Sequence, residues 1–227
     1  LPQLERMLTA INKETIRCLR VSDFNTTGLT DVDSRDDSSK FFLITKGTGI
    51  TNKGTGTGGS KGIGKFASFV VSSFNAVFYS TYTEKDEHGY IGICQLCSAE
   101  IEGSDDRTHG VGFFGRSEKQ EPILEEIHLD PNFQRTLYGT DIYILGFRDE
   151  ASWYKEIITK VLDSFISAIY FEALEVVVNG IVINKKNLSK IVFDDDLVVG
   201  KNARSSIRSQ YILLTDPNIY KETITVS

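Results

Sequence analysis

A chain of 227 residues, 40% hydrophobic and 25% charged, can bury a sizeable core and reads as one large domain or one and a half. Its net charge of −6 argues against a nucleic-acid surface over the whole chain, though not against a local basic patch. No apolar run approaches the roughly 18 residues of a membrane span, and the mixed-charge opening LPQLERMLTAINKE is not a secretory signal. Three cysteines cannot all pair, which fits a reducing cytosol.

Pro2 to Asn12 reads as a short amphipathic helix with Leu4, Met7, Leu8 and Ile11 on one face. Thr15 to Ser22 alternates like a strand, with Ile16, Cys18 and either Leu19 or Val21 turned inward. It ends in the box SDFNTTGL, from Ser22 to Leu29. Asp, Asn and Gly at a strand tip are turn signals at minimum. The functional reading is a nucleotide pocket: Asp23 accepts a hydrogen bond from an exocyclic amine such as that of adenine, and Gly28 lets the backbone come close. Asp31 to Lys40 is acidic and polar. Its carboxylates, Asp31, Asp33, Asp36 and Asp37, lack the glycine and distal glutamate of a calcium loop, which favours a solvated loop. Phe41 to Ile44 is a short apolar run.

Eight of the 19 glycines fall between Gly47 and Gly64. Each costs roughly 1 kcal/mol against alanine in a helix interior, so this stretch reads as a mobile loop with approachable backbone. Gly59 to Lys65 satisfies GxxxxGK, but Phe66 stands where a P-loop needs a hydroxyl for magnesium, and no buried strand leads directly into it. Gly54, Gly56 and Gly59 spell GxGxxG without the flanking strand and helix of a dinucleotide site. A third reading is an ATP lid ending in GxxGxGK, with Gly59, Gly62, Gly64 and Lys65; a plain linker is the fourth. The loop runs into a patterned apolar segment, which a linker lacks.

Phe66 to Phe74 reads as a helix, and Ala76 to Thr83 as a strand. A charged turn from Glu84 to Gly89 returns the chain as Tyr90 to Glu102. Cys94 and Cys97 form one CxxC inside that strand-like run, without a second Cys or His pair. Residues i and i+3 of a strand face opposite ways, so neither a metal nor a redox role is favoured there. Val111 to Gly115 follows, then an irregular acidic connection in which Asp130-Pro131 caps a short helix. Gly139-Thr140 opens a strand through Ile142, Ile144 and Phe147. Ser152 to Leu174 is the clearest helix, capped by Ser152, with Ile157, Ile158, Val161, Leu162, Phe165, Ile166, Ile169 and Tyr170 on a wide apolar face. Glu175 to Ile183 reads as a hairpin around Asn179-Gly180. In the remainder, Asp194 to Asp196 and the basic run Lys201, Arg204, Arg208 read as solvated faces.

Three signals in fixed order, SDFNTTGL, a lid closing with GGSKGIGKFASF and the strand YGTDIYI, resemble the GHKL ATPase superfamily: gyrase B-subunit, the ninety-kilodalton heat-shock chaperone, histidine kinases, MutL and the MORC proteins. The order after the Gly-Thr strand looks closest to bacterial stand-alone chaperone/MORC-like ATPases. The resemblance covers roughly residues 16–174. It implies that Asp23 holds the adenine amine, with Asn25 at the first glycine of the DxGxG box and Gly28 as the second. Asparagine also accepts left-handed backbone. It implies that the lid, from Gly59 on, brings the N–H groups around Gly62, Ile63, Gly64 and Lys65 to the phosphates, and that Thr140 reaches the adenine-side aspartate and its water. The implied ligands are ATP and Mg2+. The implied partners are a second copy of the chain, and protein or DNA reached through regions outside it; no membrane is implied.

One departure stands out. The superfamily's first helix, carrying Glu and Asn about four residues apart, is not visible: Glu5 has Thr9 at that spacing and Asn12 has Leu8. The absence of a start methionine favours a helix lying upstream of Leu1. No catalytic residue is therefore assigned, since the general base is not identifiable. The expectation is an α+β, two-layer sandwich (Bergerat fold) with a mixed, mostly antiparallel sheet and helices on one face. An ATP-binding domain would span residues 1–174, and a hairpin with the start of an extension residues 175–227. The expected function is a cytoplasmic ATPase whose lid closure drives dimerisation or partner remodelling. The alternatives are a nucleotide-gated module without turnover, a kinase lacking any phosphoacceptor histidine motif, and a structural α+β domain with a mobile loop.

Overall fold

The structure, a computed structural model, describes residues 2–36, 38–47, 64–116, 120–125, 127, 131, 134–148 and 151–218. It divides into two compact units, Leu1–Arg148 and Asp149–Val226. Among the described residues the secondary structure is mixed α+β, six helices and two sheets. None of these helices is long and apolar enough to cross a membrane.

The first unit is built on a five-stranded sheet of β1 (Cys18–Ser22), β2 (Ser72–Tyr82), β3 (His88–Gln95), β4 (Val111–Phe114) and β5 (Gly139–Phe147). The spatial order is β1-β5-β2-β3-β4, and every neighbouring pair is antiparallel. The pleat sends alternate side chains to opposite faces. On one face Val77, Tyr79, Ile91 and Ile93 are buried, and Phe41, Phe69 and Val32 close over them. Phe41 comes from helix α2 (Lys40–Thr45) and Phe69 from α3 (Gly64–Val70). Each large apolar side chain so buried contributes about 1.5–3 kcal/mol. The other face is aromatic: Phe78 neighbours Tyr90, Phe114 and Tyr143, and the rings of Tyr82 and His88 stack 4.2 Å apart. Gly92 makes room for this, because a Cβ there would lie 3.0 Å from that of Phe114.

Several boundaries differ from the sequence expectation. Helix α1 (Pro2–Ile11) forms, but Leu4, Leu8 and Ile11 stay exposed and only Ala10 is buried. The first strand begins at Cys18, leaving Ile16 exposed before it; Cys18 is exposed too, while Leu19 is half-buried. The apolar run at Phe41 is a helical turn, because the Ser39 hydroxyl accepts the N–H of Phe42 and caps it. Helix α3 stops at Val70 rather than reaching Phe74. There the Ser72 hydroxyl donates to the Leu145 carbonyl at 2.5 Å and accepts from the N–H groups of Phe74 and Ala76, drawing the chain into β2. This irregularity places Asn75 at φ +47° and Gly146 at φ +63°, where a Cβ would come 2.6 Å from the Phe74 ring. Strand β3 ends at Gln95, so Cys97 lies beyond it; its thiol donates to Gln3 Oε1 at 3.0 Å. The expected cap at Asp130-Pro131 falls largely outside the described residues.

The second unit contains α4 (Trp153–Tyr170), the hairpin β6 (Val176–Val178) and β7 (Ile181–Ile183), α5 (Leu188–Val192) and α6 (Lys201–Thr215). The long helix therefore belongs with the segment that follows it. Its Ile158, Leu162, Ile166 and Ile169 are buried together with Val178, Ile183, Leu188 and Ile207. Phe165, expected on the same face, is 51% exposed, so the buried stripe is narrower than the sequence pattern. Ser152 occupies the N-cap position without a capping side-chain bond. Asn179 (φ +49°) and Gly180 (φ +79°) supply the two positive φ angles of a type I′ turn. Two arginines of the basic run are engaged: Arg204 Nε donates to the Val198 carbonyl, and Arg208 pairs with Asp195 at 2.7 Å.

Candidate functional site

The Asp23 box sits where β1 leaves the sheet. Ser22 pairs with Asp141 across β1 and β5, so Asp23 arrives opposite Thr140. Its N–H donates to the Thr140 carbonyl at 3.0 Å. Its carboxylate is gripped at both oxygens: Oδ1 accepts the Thr140 main-chain N–H at 2.5 Å, and Oδ2 accepts the Thr26 hydroxyl at 2.5 Å. A carboxylate offers about four lone-pair sites and no donor. With two engaged, the exposed Asp23 keeps acceptor capacity that suits an N–H-bearing ligand edge and repels a phosphate.

The turn after Asp23 is left-handed at two points, Asn25 at φ +58° and Gly28 at φ +68°. Gly28 has a packing reason as well. A Cβ there would lie 2.8 Å from the Tyr82 carbonyl and 2.9 Å from Thr81 Oγ1, so the close approach it permits is to the ends of β2 and β5. The Thr81 hydroxyl ties these parts together, donating to the Gly139 carbonyl and accepting from the Leu29 N–H at 2.8 Å. Beyond the turn, the Lys40 ammonium donates to Thr27 Oγ1 at 3.0 Å. Lys85 pairs with Asp31 at 3.0 Å, and that hydrogen bond holds the Asp31 carboxyl below its ordinary value.

The structure thus brings Asp23, Asn25, Gly28 and Thr140 into one corner of the sheet. Thr140 reaches Asp23 through its main-chain N–H. Gly64 and Lys65 open α3. Gly59, Gly62 and Ile63 lie outside the described residues. Where the glycine stretch begins, the Lys46 ammonium donates to the Gln120 carbonyl and lies 5.5 Å from the Phe113 ring centre; burial pulls its pKa down. Sequence reasoning overlooked Thr26, Thr81 and Arg135. Thr26 lies within the SDFNTTGL box and could have been found there as a hydroxyl three residues after the aspartate. Nothing local marks Thr81 or Arg135.

Among the described residues, no group of three or more His, Cys, Asp or Glu side chains is arranged to hold a metal ion. Comparison with protein-family models, with curated proteins and with solved structures yields no match.

Proposed function

We propose that the first unit binds an adenine nucleotide in the manner of a GHKL (Bergerat) ATPase. The observation that carries the reading is the Asp23 carboxylate. It is exposed at a strand end, oriented by the Thr140 N–H and the Thr26 hydroxyl, and still able to accept from an amine. An exocyclic amine beside a ring nitrogen is the ligand edge that such an acceptor complements. The antiparallel sheet with α2 and α3 on one face supports the same reading.

The wider proposal is an ATPase in which closure of the glycine-rich segment over the nucleotide drives dimerisation or partner remodelling. In that reading the N–H groups from Gly59 to Lys65 steady the phosphates. Mg2+ enters only as the companion ion of ATP, and no step is assigned to it.

Calorimetric titration with ADP and with a non-hydrolysable ATP analogue, each with and without magnesium, tests the proposal. Binding of either nucleotide that Asp23→Asn weakens or removes supports the pocket. Binding unaffected by that substitution, or no binding at all, overturns it. Phosphate release measured on the same samples separates an ATPase from a nucleotide-gated module without turnover.

A further inference from the structure

Arg135 is only 8% exposed, and a guanidinium is rarely so buried unless it is paired. Its Nη1 donates to Asp141 Oδ1 at 2.6 Å, in an ion pair whose side chains are 3% and 5% exposed. Its Nη2 donates to two main-chain carbonyls, those of Asp23 and Tyr138. The Phe24 ring centre lies 4.9 Å from the guanidinium carbon. Tyr138 immediately precedes Gly139-Thr140 and Asp141 immediately follows. One side chain therefore brackets the Gly-Thr pair and holds the main chain of Asp23 against it.

Gly139 gives this group its seat. The residue has φ +134°, and a Cβ there would lie 2.2 Å from the Asp23 carbonyl oxygen and 2.3 Å from Arg135 Nη2. Asp23 itself leads into a turn with two left-handed residues. The direction of its carboxylate depends on how firmly its main chain is held beside Thr140. Arg135 Nε is buried without a hydrogen-bond partner among the described residues, a cost that the other bonds offset.

We infer that Arg135 is a positioning residue for adenine recognition, locking the main chain of Asp23 to the Gly139-Thr140 strand so that the Asp23 carboxylate faces the exocyclic amine. The inference rests on the nucleotide reading of the same site. A guanidinium fork suits the task because acceptors on two chain segments are engaged at once. A lysine can keep the charge beside Asp141, but its single nitrogen cannot reach Asp141 and the two carbonyls together as the rigid planar group does.

The test uses the whole 227-residue chain, titrated calorimetrically with ATP and with GTP, and melted in parallel. The variants are Arg135→Lys and the double substitution Arg135→Met/Asp141→Leu. The double variant removes both buried charges together, so it folds without an orphaned carboxylate. In both variants ATP affinity is expected to fall roughly tenfold, with a reduced preference for ATP over GTP. The double variant melts close to the wild type yet does not regain the preference. A structural staple alone would lower the melting temperature and leave the affinity and preference of the folded protein unchanged; that result in either variant overturns the inference. If Arg135→Lys does not fold, the double variant decides. Wild-type protein that binds neither nucleotide overturns the nucleotide reading and this inference with it. Wild-type binding that is insensitive to both variants overturns the inference alone.

Discussion

The main-chain N–H of Thr140 donates to the carboxylate of Asp23 across 117 positions of chain. The contact follows from register. Ser22 faces Asp141 in the antiparallel ladder, so the next residue of β1 must meet Thr140. The Asp23 N–H still donates to the Thr140 carbonyl, but the returning Thr140 N–H goes to the Asp23 carboxylate instead of the Asp23 carbonyl. One carboxylate oxygen is thereby oriented by backbone, which has little freedom to move, and the other by the Thr26 hydroxyl.

Asp23→Asn is expected to weaken adenine-nucleotide binding by about 1.5–3 kcal/mol, the worth of a hydrogen bond to a charged acceptor. An asparagine oxygen can still accept from Thr140, so the thermal midpoint should change little. Titration alongside a melt separates the two effects, and wild-type affinity in the variant would remove Asp23 from the site.

Gly28→Ala should destabilise the first unit by about 1–3 kcal/mol, through left-handed strain and a Cβ 2.8 Å from the Tyr82 carbonyl. Asn25→Gly, at a similar φ of +58° on an exposed turn, should be near neutral. Chemical denaturation of both variants checks the contrast. A Gly28→Ala variant as stable as the wild type would remove both the strain and the packing argument at this position.

Ser72→Ala removes one hydroxyl that donates to Leu145 and accepts from Phe74 and Ala76. Ser72 is buried, and the N–H groups of the half-buried Phe74 and Ala76 lose this partner. A cost of about 1–3 kcal/mol is expected. Faster amide exchange at Phe74 and Ala76, with the β6–β7 hairpin unaffected, is the signature to look for.

Burial pushes the Tyr79 phenol up to about 12, and Tyr79 is only 1% exposed. The folded state thus favours the protonated form. The stability tied to this group is fully present below the ordinary tyrosine value near 10 and is lost as pH rises through about 12. Tyr143 is likewise pushed up to about 12, first by burial and then by the charge of Asp141, and acts in the same window. Tyr79→Phe should therefore make the loss of thermal stability between pH 10 and 12 shallower without abolishing it. Melts across that range, with phenolate absorbance, measure this; an unchanged slope would assign the loss elsewhere.

The hairpin at Asn179-Gly180, the helix beginning after Ser152 and the strand opening at Gly139 were all legible, because turn chemistry and apolar periodicity act over a few residues. The proximity of Asp23 to Thr140 came only as an implication of the family resemblance, which did not show that the main chain of Thr140 makes the contact. Other features were hidden. Helix α2 is a single short run whose apolar residues suit a strand equally well, until Ser39 is seen to cap it. The start of β2 at Ser72 depends on the carbonyl of Leu145, 73 positions away.

By itself, the sequence determined what its local chemistry encodes: the left-handed turn at Asn25 and Gly28, the Asn-Gly hairpin and the apolar stripe of α4. Only the tertiary structure decided that Thr26 and Thr140 hold the two oxygens of Asp23, that Gly28 packs on the ends of β2 and β5, and that Arg135 reaches Asp23 from 112 positions away. The physical reason is range. Backbone preference and periodicity act within a turn or two of chain, whereas a hydrogen bond or buried ion pair needs partners that meet only once the sheet has set its register.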